Sequence, residues 1–476
     1  METIDPMGGD PRLQLLHSAG LAADFLDERR KARVGGASDD GLADRLRAYD
    51  FRDARPLQTV AADMFDLLGT HAVRSDHPRY FGLFNPPALP AAIIGDLIAA
   101  TVNPQLAVRS HASAAADIER KLLQLFGTRI GWDGGEVSGA FTSGGSEANH
   151  TALLVALARK YPEWPTRGLQ TVTTNPAVYV SAQAHLAWIK LARSSGLGSD
   201  AVRLVPTRDG MRLDGETLAQ FIAADVGRDP VLVVATAGTT AHGAIDDIAG
   251  IAETAHRCCA YLHVDAAWAG GALLADEGKA LLRGIELADS VTIDPHKWLC
   301  VPMGAGMYLA HDWVPLQSAF SVSTGYMPSA SLEQRDAYIH SLQWSRRFIG
   351  LKLFMALATL GADGYAQMVR RQLQLGRQLR DGLLAHGWRL VNDSPLPLVC
   401  FVPELARDRQ GDAVRRIVDA VVASGEAWLS TVDWRGQQVI RACITSYETT
   451  SGDVDALIEL LDKMRGRELV ATPGAR

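Results

Sequence analysis

The sequence has few cysteines, no basic run and no long apolar run, and each shortage argues against a class of protein. Its 476 residues include five cysteines without a CxxC pair, so a disulfide framework is not expected. A reducing cytoplasm is the expected compartment. Lys plus Arg number 47 against 54 for Asp plus Glu, and this net charge of −7 argues against nucleic acid and anionic lipid as partners. The longest apolar stretch, PALPAAIIGDLIAATV, is interrupted by Asp96 and is too short for a membrane span. The N-terminal METIDPMGGDPR is acidic and poor in apolar residues, which is not typical of a signal peptide.

Several common catalytic signatures are absent as well. The chain contains no GxGxxG, no GxxxxGK[ST], no GxSxG and no HExxH. Dinucleotide-binding, P-loop, serine-hydrolase and zincin functions therefore lose their main support, and no metal ligands are predicted. The composition, 47% hydrophobic and 21% charged, is that of a globular protein with a sizeable core.

The order of the periodic segments predicts three parts. Residues 1–85 have helical apolar spacing after a frayed start, which predicts an arm that packs on the main body or on a second subunit. Residues 86–345 alternate helix-length segments with short β-branched runs, which predicts a mostly parallel sheet flanked by helices. Residues 346–476 are expected to form a smaller α+β domain. The six predicted strands of the middle part begin at Val178, Val202, Val231, Tyr261, Ser290 and Gly306.

The connection between Ala310 and Ser345 is long and weakly periodic. Such a stretch inside a compact enzyme is usually a lid or a loop. An irregular helical connector is the alternative that the sequence leaves open.

A lysine in an apolar stretch is the strongest local signal. Lys297 follows His296 in TIDPHKWLCVPMGAG, at the end of a predicted strand. Burying an ammonium group is costly, so Lys297 either reaches solvent or has a chemical task such as forming a Schiff base with a carbonyl. Taken alone, the structural alternative is the more common one.

An aspartate lies 32 residues before this lysine, on another predicted buried strand. Asp265, in HVDAAWAGG, stays ionised there only if it faces a cation or several donors. A protonated pyridine nitrogen is such a cation. Capping of the following helix is the alternative role.

Three further motifs are weak singly. In FTSGGSEANHTALLVALARK, the run Ser143–Ser146 opens a helix and resembles a phosphate cradle, although an ordinary helix cap has the same composition. His185 follows a predicted strand in VSAQAHLAWIK, and Thr239 and Thr240 follow another in TAGTTAHGAIDDI. Each of these is more often structural than catalytic.

The order of these motifs along the chain is specific. A Gly-Ser helix start, a histidine, Gly-Thr-Thr, HVDAA and DPHK follow one another, and the chain thereby resembles the pyridoxal-phosphate-dependent group II decarboxylases. This is the family of the aromatic-L-amino-acid, histidine and glutamate decarboxylases. HPRYFGLFNPPALPAAIIGDLI, ADIE, SRRFIGLKLF and VIRACITSYETT also look like family segments, so the resemblance covers about residues 75 to 460.

The resemblance implies an α/β fold, the PLP-dependent transferase fold type I, in a homodimer with sites at the interface. It implies that Lys297 holds pyridoxal 5'-phosphate (PLP) and that Asp265 pairs with the pyridine nitrogen. His185 matches the histidine that stacks on the ring, and Thr240 the threonine beside it. The remaining matches are Gly145 and Ser146 at the phosphate, His296 near the phosphate and the leaving carboxylate, and Asp294, a position that is often Asn in the aromatic enzymes.

The resemblance also implies a tyrosine on the mobile loop that protonates Cα after CO2 is lost. The loop contains Tyr326 and Tyr338. Tyr338 is the predicted donor, although it lies eight residues before Arg346, slightly closer than the resemblance to the aromatic decarboxylases implies. A tyrosine here favours simple decarboxylation, since related aldehyde synthases tend to have Phe at this position.

The substrate is less well defined by the sequence. Phe84, Arg109 and His111 are the predicted substrate-binding residues. Arg109 suits an acidic side chain, or it pairs with a surface carboxylate instead. The expected reaction is decarboxylation of an L-amino acid to its amine, with an aromatic substrate favoured. An acidic substrate, an aldehyde synthase, another PLP-dependent lyase or transaminase, and a catalytically silent PLP-fold protein are the alternatives.

Overall fold

The computed structural model describes residues 10–35, 41–132, 135, 137–208, 210–322, 336–404 and 407–471. The α-helices of this part of the chain are α1 (Pro11–Asp27), α2 (Leu42–Arg47), α3 (Leu57–His71), α4 (Pro90–Val102), α5 (Ser113–Ile130), α6 (Gly145–Lys160), α7 (Trp164–Arg167), α8 (Ala187–Ser194), α9 (Gly215–Ala224), α10 (Ile248–Arg257), α11 (Asp276–Leu281), α12 (Trp313–Phe320), α13 (Gly350–Ala385), α14 (Arg407–Ser424) and α15 (Ser451–Ala471). The strands are β1 (Ser138–Thr142), β2 (Pro176–Ser181), β3 (Val202–Val205), β4 (Asp229–Thr236), β5 (Tyr261–Asp265), β6 (Ser290–Ile293), β7 (Gly306–Ala310), β8 (Trp388–Leu390), β9 (Leu398–Pro403), β10 (Ser430–Trp434) and β11 (Gln437–Cys443).

A seven-stranded sheet forms the centre of the molecule, in the order β1-β7-β6-β5-β4-β2-β3. The five strands β3, β2, β4, β5 and β6 are parallel, whereas β7 and β1 run antiparallel to their neighbours. Strands β1, β5, β6 and β7 are buried along their whole length, which is expected where helices cover both faces of a sheet. The predicted α/β fold class with a mostly parallel sheet is confirmed.

A second sheet of four antiparallel strands, in the order β10-β11-β9-β8, lies in the C-terminal part. Helix α13 leads into it, α14 packs on it, and α15 packs on α13 and α14. The segment around Tyr80 joins this unit to the rest, because the Phe81 N–H donates to the Trp428 carbonyl and Cys443 N–H donates to the Phe81 carbonyl. The predicted small α+β unit is therefore present.

The N-terminal arm is helical, as its apolar spacing predicts. Helices α1 and α3 pack together through Phe25 and Phe65, whose ring centres are 5.6 Å apart. The arm contacts the C-terminal unit through the Val34 N–H, which donates to the Gly425 carbonyl. Much of its apolar surface stays exposed, for example at Leu16.

The connection between β7 and α13 contains α12 and a short 3₁₀ turn, Ala337–Ile339. Residues 323–335, which include the candidate Tyr326, lie outside the described residues. Within the described part of the chain, no helix combines the length and the apolar character that crossing a bilayer requires.

Candidate active site

A cavity of about 330 Å³ opens where the parallel strands of the central sheet end. Asp265 ends β5, Thr236 ends β4, and Asp294, His296 and Lys297 follow β6. Because the carboxyl ends of parallel strands meet at one edge of a sheet, these residues come together there. Nine sequence-predicted residues line the cavity: Phe84, Gly145, Ser146, His185, Thr240, Asp265, Asp294, His296 and Lys297.

Lys297 reaches the cavity from a buried turn. The residues that follow it, from Trp298 to Val301, are buried, whereas a quarter of the Lys297 side chain is exposed. Its Nζ lies 3.0 Å from Oδ2 of Asp294, a carboxylate that is only 2% exposed. This pairing makes an ammonium group tolerable at the edge of the core and holds the nitrogen beside the cavity.

His296 forms the wall next to this pair. Its Nδ1 accepts a hydrogen bond of 3.1 Å from the Ala305 N–H, and its Nε2 lies 3.7 Å from Asp294 Oδ2. Burial lowers the pKa of His296, although Asp294 opposes the effect. The ring is therefore neutral near pH 7, with its proton on Nε2 facing Asp294.

Asp265 is held by two donors and faces the cavity with remaining capacity to accept. Oδ1 accepts from the Ala267 N–H at 3.1 Å, and Oδ2 accepts from Asn149 Nδ2 at 2.8 Å. A carboxylate in this position can accept one more hydrogen bond from a cationic N–H.

The N-terminus of α6 forms another side of the cavity. Gly144 and Gly145 let the backbone approach closely, because a Cβ at Gly145 would lie 2.8 Å from Asp294 Oδ2. Glu147 stabilises this turn by accepting from the Ser143 N–H at 2.8 Å and from its Oγ at 2.6 Å. Free backbone N–H groups at a helix N-terminus are suited to an anionic group such as a phosphate.

Aromatic rings close the cavity on another side. Phe84 stacks on Trp268 with ring centres 4.3 Å apart, and Trp268 stacks on Trp298 at 5.7 Å. His185 and Thr240 are exposed at the opening. The His185 Nδ1 accepts from the Ala187 N–H at 3.1 Å, which fixes the orientation of the ring.

Three predicted residues do not line this cavity within one chain. Arg109 forms a bidentate pair with Asp117, with distances of 3.1 and 2.6 Å, and both side chains are well exposed. His111 is also exposed. Tyr338 is only 5% exposed and packs on Trp344 with ring centres 5.1 Å apart. The functional roles of these three residues therefore stay predictions. Within one chain, Arg109 pairs with a surface carboxylate, which was the alternative to substrate binding.

Sequence reasoning missed several cavity residues. Asn149 and Thr236 line the cavity but stand inside ordinary helix and strand patterns. Arg441 lies just behind the wall: its guanidinium carbon is 4.8 Å from the Phe84 ring centre, and its Nε donates to the Thr240 carbonyl at 2.9 Å. A charged residue in the apolar pattern VIRACITS was the available signal for Arg441.

The arrangement fits pyridoxal phosphate. An amine, a carboxylate with spare acceptor capacity and a helix N-terminus correspond to its aldehyde, its pyridine nitrogen and its phosphate. Two buried polar atoms in the wall, Thr236 Oγ1 and Asp294 Oδ1, have no hydrogen-bond partner among the described residues, as expected of a polar site built for a ligand. Fold and site together define a PLP-binding enzyme of the α/β class.

Comparison with known proteins specifies the class further. Residues 46–403 match the family model described as the pyridoxal-dependent decarboxylase conserved domain. An aromatic-L-amino-acid decarboxylase from Bacillus atrophaeus is 28% identical over 400 residues, which cover 82% of this chain and 81% of that relative. A cysteine sulfinic acid decarboxylase from Homo sapiens is 31% identical over 352 residues, which cover 71% of this chain and 70% of that relative. The crystal structure of Oryza sativa TDC with PLP and tryptamine superimposes with a TM-score of 0.91 at 25% identity, covering 98% of this chain and all of the other.

The chain belongs to the pyridoxal-dependent decarboxylase family. It is a PLP-dependent amino acid decarboxylase, a lyase, and the resemblance stated from its motifs is confirmed. The relatives act on aromatic and on sulfinic amino acids, so the family alone does not define the substrate.

Proposed function

We propose that this enzyme releases CO2 from an aromatic L-amino acid and forms the corresponding amine. The observation that carries the proposal is the stacked pair Phe84 and Trp268 in the cavity wall, which offers an apolar, planar surface to a substrate side chain. Arg109 was the sequence-based argument for an acidic substrate; its pairing with Asp117 on the surface of one chain supports the aromatic alternative.

Several residues of the cavity have a proposed task in this reaction. Lys297 would hold the cofactor, and Asp294 keeps its Nζ beside the cavity. The Gly144–Ser146 turn would bind the phosphate, Asp265 would accept the pyridine N–H, and His185 would cover the ring. When bound, PLP supplies the sink for the electrons left at Cα as CO2 departs. Orientation of the carboxylate by the protein selects decarboxylation over other bond cleavages.

A second candidate substrate is an acidic amino acid, and Arg441 favours it. Its side chain is 1% exposed, and its Nη2 has no hydrogen-bond partner among the described residues. A buried guanidinium with a free donor behind Phe84 is suited to a carboxylate that enters past that ring.

The product depends on which residue returns a proton to Cα. We propose that a tyrosine does so, which gives an amine. Tyr338→Phe and Tyr326→Phe are to be compared, and the variant that lowers the amine yield and raises aldehyde identifies the donor. Tyr338 is the proposed donor; its side chain packs on Trp344 within its own chain, so this role calls for the site of the second subunit.

We also propose a cytoplasmic homodimer. All five cysteines are free, which suits a reducing compartment. Helix α4 exposes an apolar row of Ile94, Leu97 and Val102, with exposed fractions of 49%, 52% and 69%. A row of this kind at helical spacing is typical of a subunit interface.

The test is an incubation of the PLP-loaded enzyme with aromatic, acidic, basic and small aliphatic L-amino acids, with CO2, amine, aldehyde and peroxide all quantified. The proposal predicts equal amounts of CO2 and amine from aromatic substrates. An acidic preference that is lost in Arg441→Met supports the second candidate instead. Aldehyde with peroxide would contradict simple decarboxylation.

A further inference from the structure

Asp265 is the end of a buried chain of hydrogen bonds that leads away from the cavity. Asn149, on α6, donates through Nδ2 to Asp265 Oδ2 at 2.8 Å. The other atom of the same amide, Oδ1, lies 3.1 Å from Nε2 of His263. Asn149 is 3% exposed and His263 is fully buried, so solvent does not compete for these contacts.

The chain continues behind His263. Its Nδ1 lies 2.8 Å from the Ser290 Oγ, and Thr292 Oγ1 lies 3.2 Å from its Nε2. Trp188 packs edge-on against the imidazole at 5.8 Å. Burial lowers the pKa of His263 to about 4, despite the opposing charge of Asp265, so the ring is neutral near pH 7.

The direction of each hydrogen bond follows from the groups involved. The Asp265 carboxylate only accepts, so the Asn149 NH₂ faces it and the Asn149 carbonyl faces His263. His263 must then carry its proton on Nε2, and its Nδ1 accepts from the Ser290 hydroxyl. Every bond in the chain Ser290–His263–Asn149–Asp265 therefore donates toward the aspartate, an order in which each bond strengthens the next.

We propose that Asn149 and His263 are positioning residues that keep the Asp265 carboxylate aimed, as an acceptor, at the pyridine nitrogen of the cofactor. The inference rests on the pairing of Asp265 with that nitrogen in the proposed function. Asn149 acts by orienting the carboxylate, and His263 acts by fixing which way the Asn149 amide points. Without the Asn149 donor, Asp265 would keep only the hydrogen bond from the Ala267 N–H, and its Oδ2 would no longer be held in place.

The test compares PLP with an analogue in which carbon replaces the pyridine nitrogen. The dissociation constants of both are measured for the full-length apoenzyme, and their ratio reports the strength of the contact to Asp265. The wild type should prefer PLP by about tenfold or more, the size expected of a hydrogen bond to a charged group. Asn149→Leu and His263→Phe should each lower this preference by about fivefold or more, within the same range.

Two variants separate positioning from general damage to the fold. His263→Gln retains an N–H donor for the Asn149 carbonyl and should keep the preference for PLP. Asn392→Leu removes another buried amide, one that donates to the His242 and Leu398 carbonyls, and should leave the ratio unchanged. If His263→Phe does not fold, Asn149→Leu carries the test alone.

Asp265→Ala distinguishes failure of this inference from failure of the proposed function. If Asp265→Ala abolishes the preference but Asn149→Leu retains the wild-type ratio, the positioning role is overturned and the pairing of Asp265 stands. If Asp265→Ala also retains the ratio, the pairing itself is wrong and the inference is overturned with it.

Discussion

Lys297 is a cation at the edge of the core, and the Asp294 carboxylate 3.0 Å away makes that position tolerable. Asp294 is also in contact with His296, and a Cβ added at Gly145 would meet it. One buried carboxylate thus connects the lysine, the histidine and the glycine turn. Asp294, which the resemblance identified as a position that is often Asn in the aromatic enzymes, is therefore a central contact of this site.

The buried His242 should make the protein less stable in mild acid. Burial lowers the pKa of His242 to about 4, with the charge of Arg441 acting in the same direction and Asp433 opposing. Because the unfolded chain takes up the proton first, this stability is complete above about pH 6.5 and is lost as the pH falls toward 4. The loss amounts to about 3 kcal/mol.

Urea unfolding at one protein concentration, between about pH 7 and pH 4.5, measures this loss. His242→Phe keeps a ring against Trp434, whose centre lies 4.9 Å away, and removes the titrating group. Its unfolding free energy should fall less steeply over this range than that of the wild type. Equal slopes in the two proteins would contradict the prediction.

The sequence predicted the residues whose chemistry is unusual for their surroundings. Lys297 and Asp265 are charges in buried strand patterns, so each demanded a partner or a task. Asn149 and Thr236 were missed because a polar residue within a helix or strand is ordinary until the fold aims it into a cavity. Arg109 and Tyr338 were selected by their position along the chain. Position alone did not predict which side chains they contact in the folded chain.

Among the elements, the turn between β1 and α6 has little room for a side chain. Gly145→Ala places a methyl group 2.8 Å from Asp294 Oδ2 and 3.3 Å from Ala267 Cβ, so the carboxylate beside Lys297 must shift. We expect the affinity for PLP to fall by about tenfold or more, a loss of about 1.4 kcal/mol.

Equilibrium binding of PLP to the apoenzyme measures this effect. Gly20→Ala, in α1, is the matched control, since nothing lies within 4 Å of its added Cβ. It should bind PLP as the wild type does. Wild-type affinity in Gly145→Ala would show that the turn does not form the phosphate cradle.

A buried ion pair connects α5 with the segment that leads into α13. Arg346 Nη1 lies 2.6 Å from Glu119 Oε2, both side chains are nearly inaccessible, and Glu119 Oε1 accepts from the Gly350 N–H at 3.0 Å. Burial raises the pKa of Glu119, and Arg346 opposes that shift. Glutamate can escape an unpaired buried charge by taking up a proton, but arginine cannot.

Removing Glu119 should therefore lower the free energy of unfolding by a different amount than removing Arg346. Glu119→Gln leaves a buried guanidinium and should lower the free energy of unfolding by about 3 kcal/mol or more. Arg346→Met should cost less, because Glu119 can become neutral. Asp117→Asn, which breaks the exposed pair with Arg109, should cost less than about 1 kcal/mol. Urea unfolding measures all three, and equal losses for Glu119→Gln and Asp117→Asn would contradict the account.

Elements were predictable where a pattern was strong and local. All six predicted runs of the middle part form strands, because strands covered by helices on both faces of a sheet need continuous apolar sequence. Strand β1 was missed, since SGAFT has little β-branched character and is defined by pairing with β7. Helix α13 contains Gly361 at φ 70°, a break that the apolar spacing did not reveal.

At the scale of the whole molecule, the exposed row on α4 should be a subunit contact. The double substitution Ile94→Asp with Leu97→Asp should convert a dimer into a monomer in sedimentation velocity, because two buried charges without partners oppose association. Leu384→Asp, at a comparably exposed position on α13, is the control and should remain a dimer. A monomeric wild type, or a dimer that survives the double substitution, would contradict the proposal.

The division of the chain into an arm, a large domain and a small domain at residues 85 and 345 also stays a prediction.

The most direct test of the central claim is to find which lysine holds the cofactor. The PLP-loaded enzyme is reduced with borohydride and its peptides are mapped by mass spectrometry, with Lys297→Ala and the exposed Lys190→Ala treated in parallel. The account predicts the label on Lys297 in the wild type and in Lys190→Ala, and neither label nor CO2 release in a folded Lys297→Ala. A label on another lysine, or CO2 release at the wild-type rate by Lys297→Ala, would contradict it.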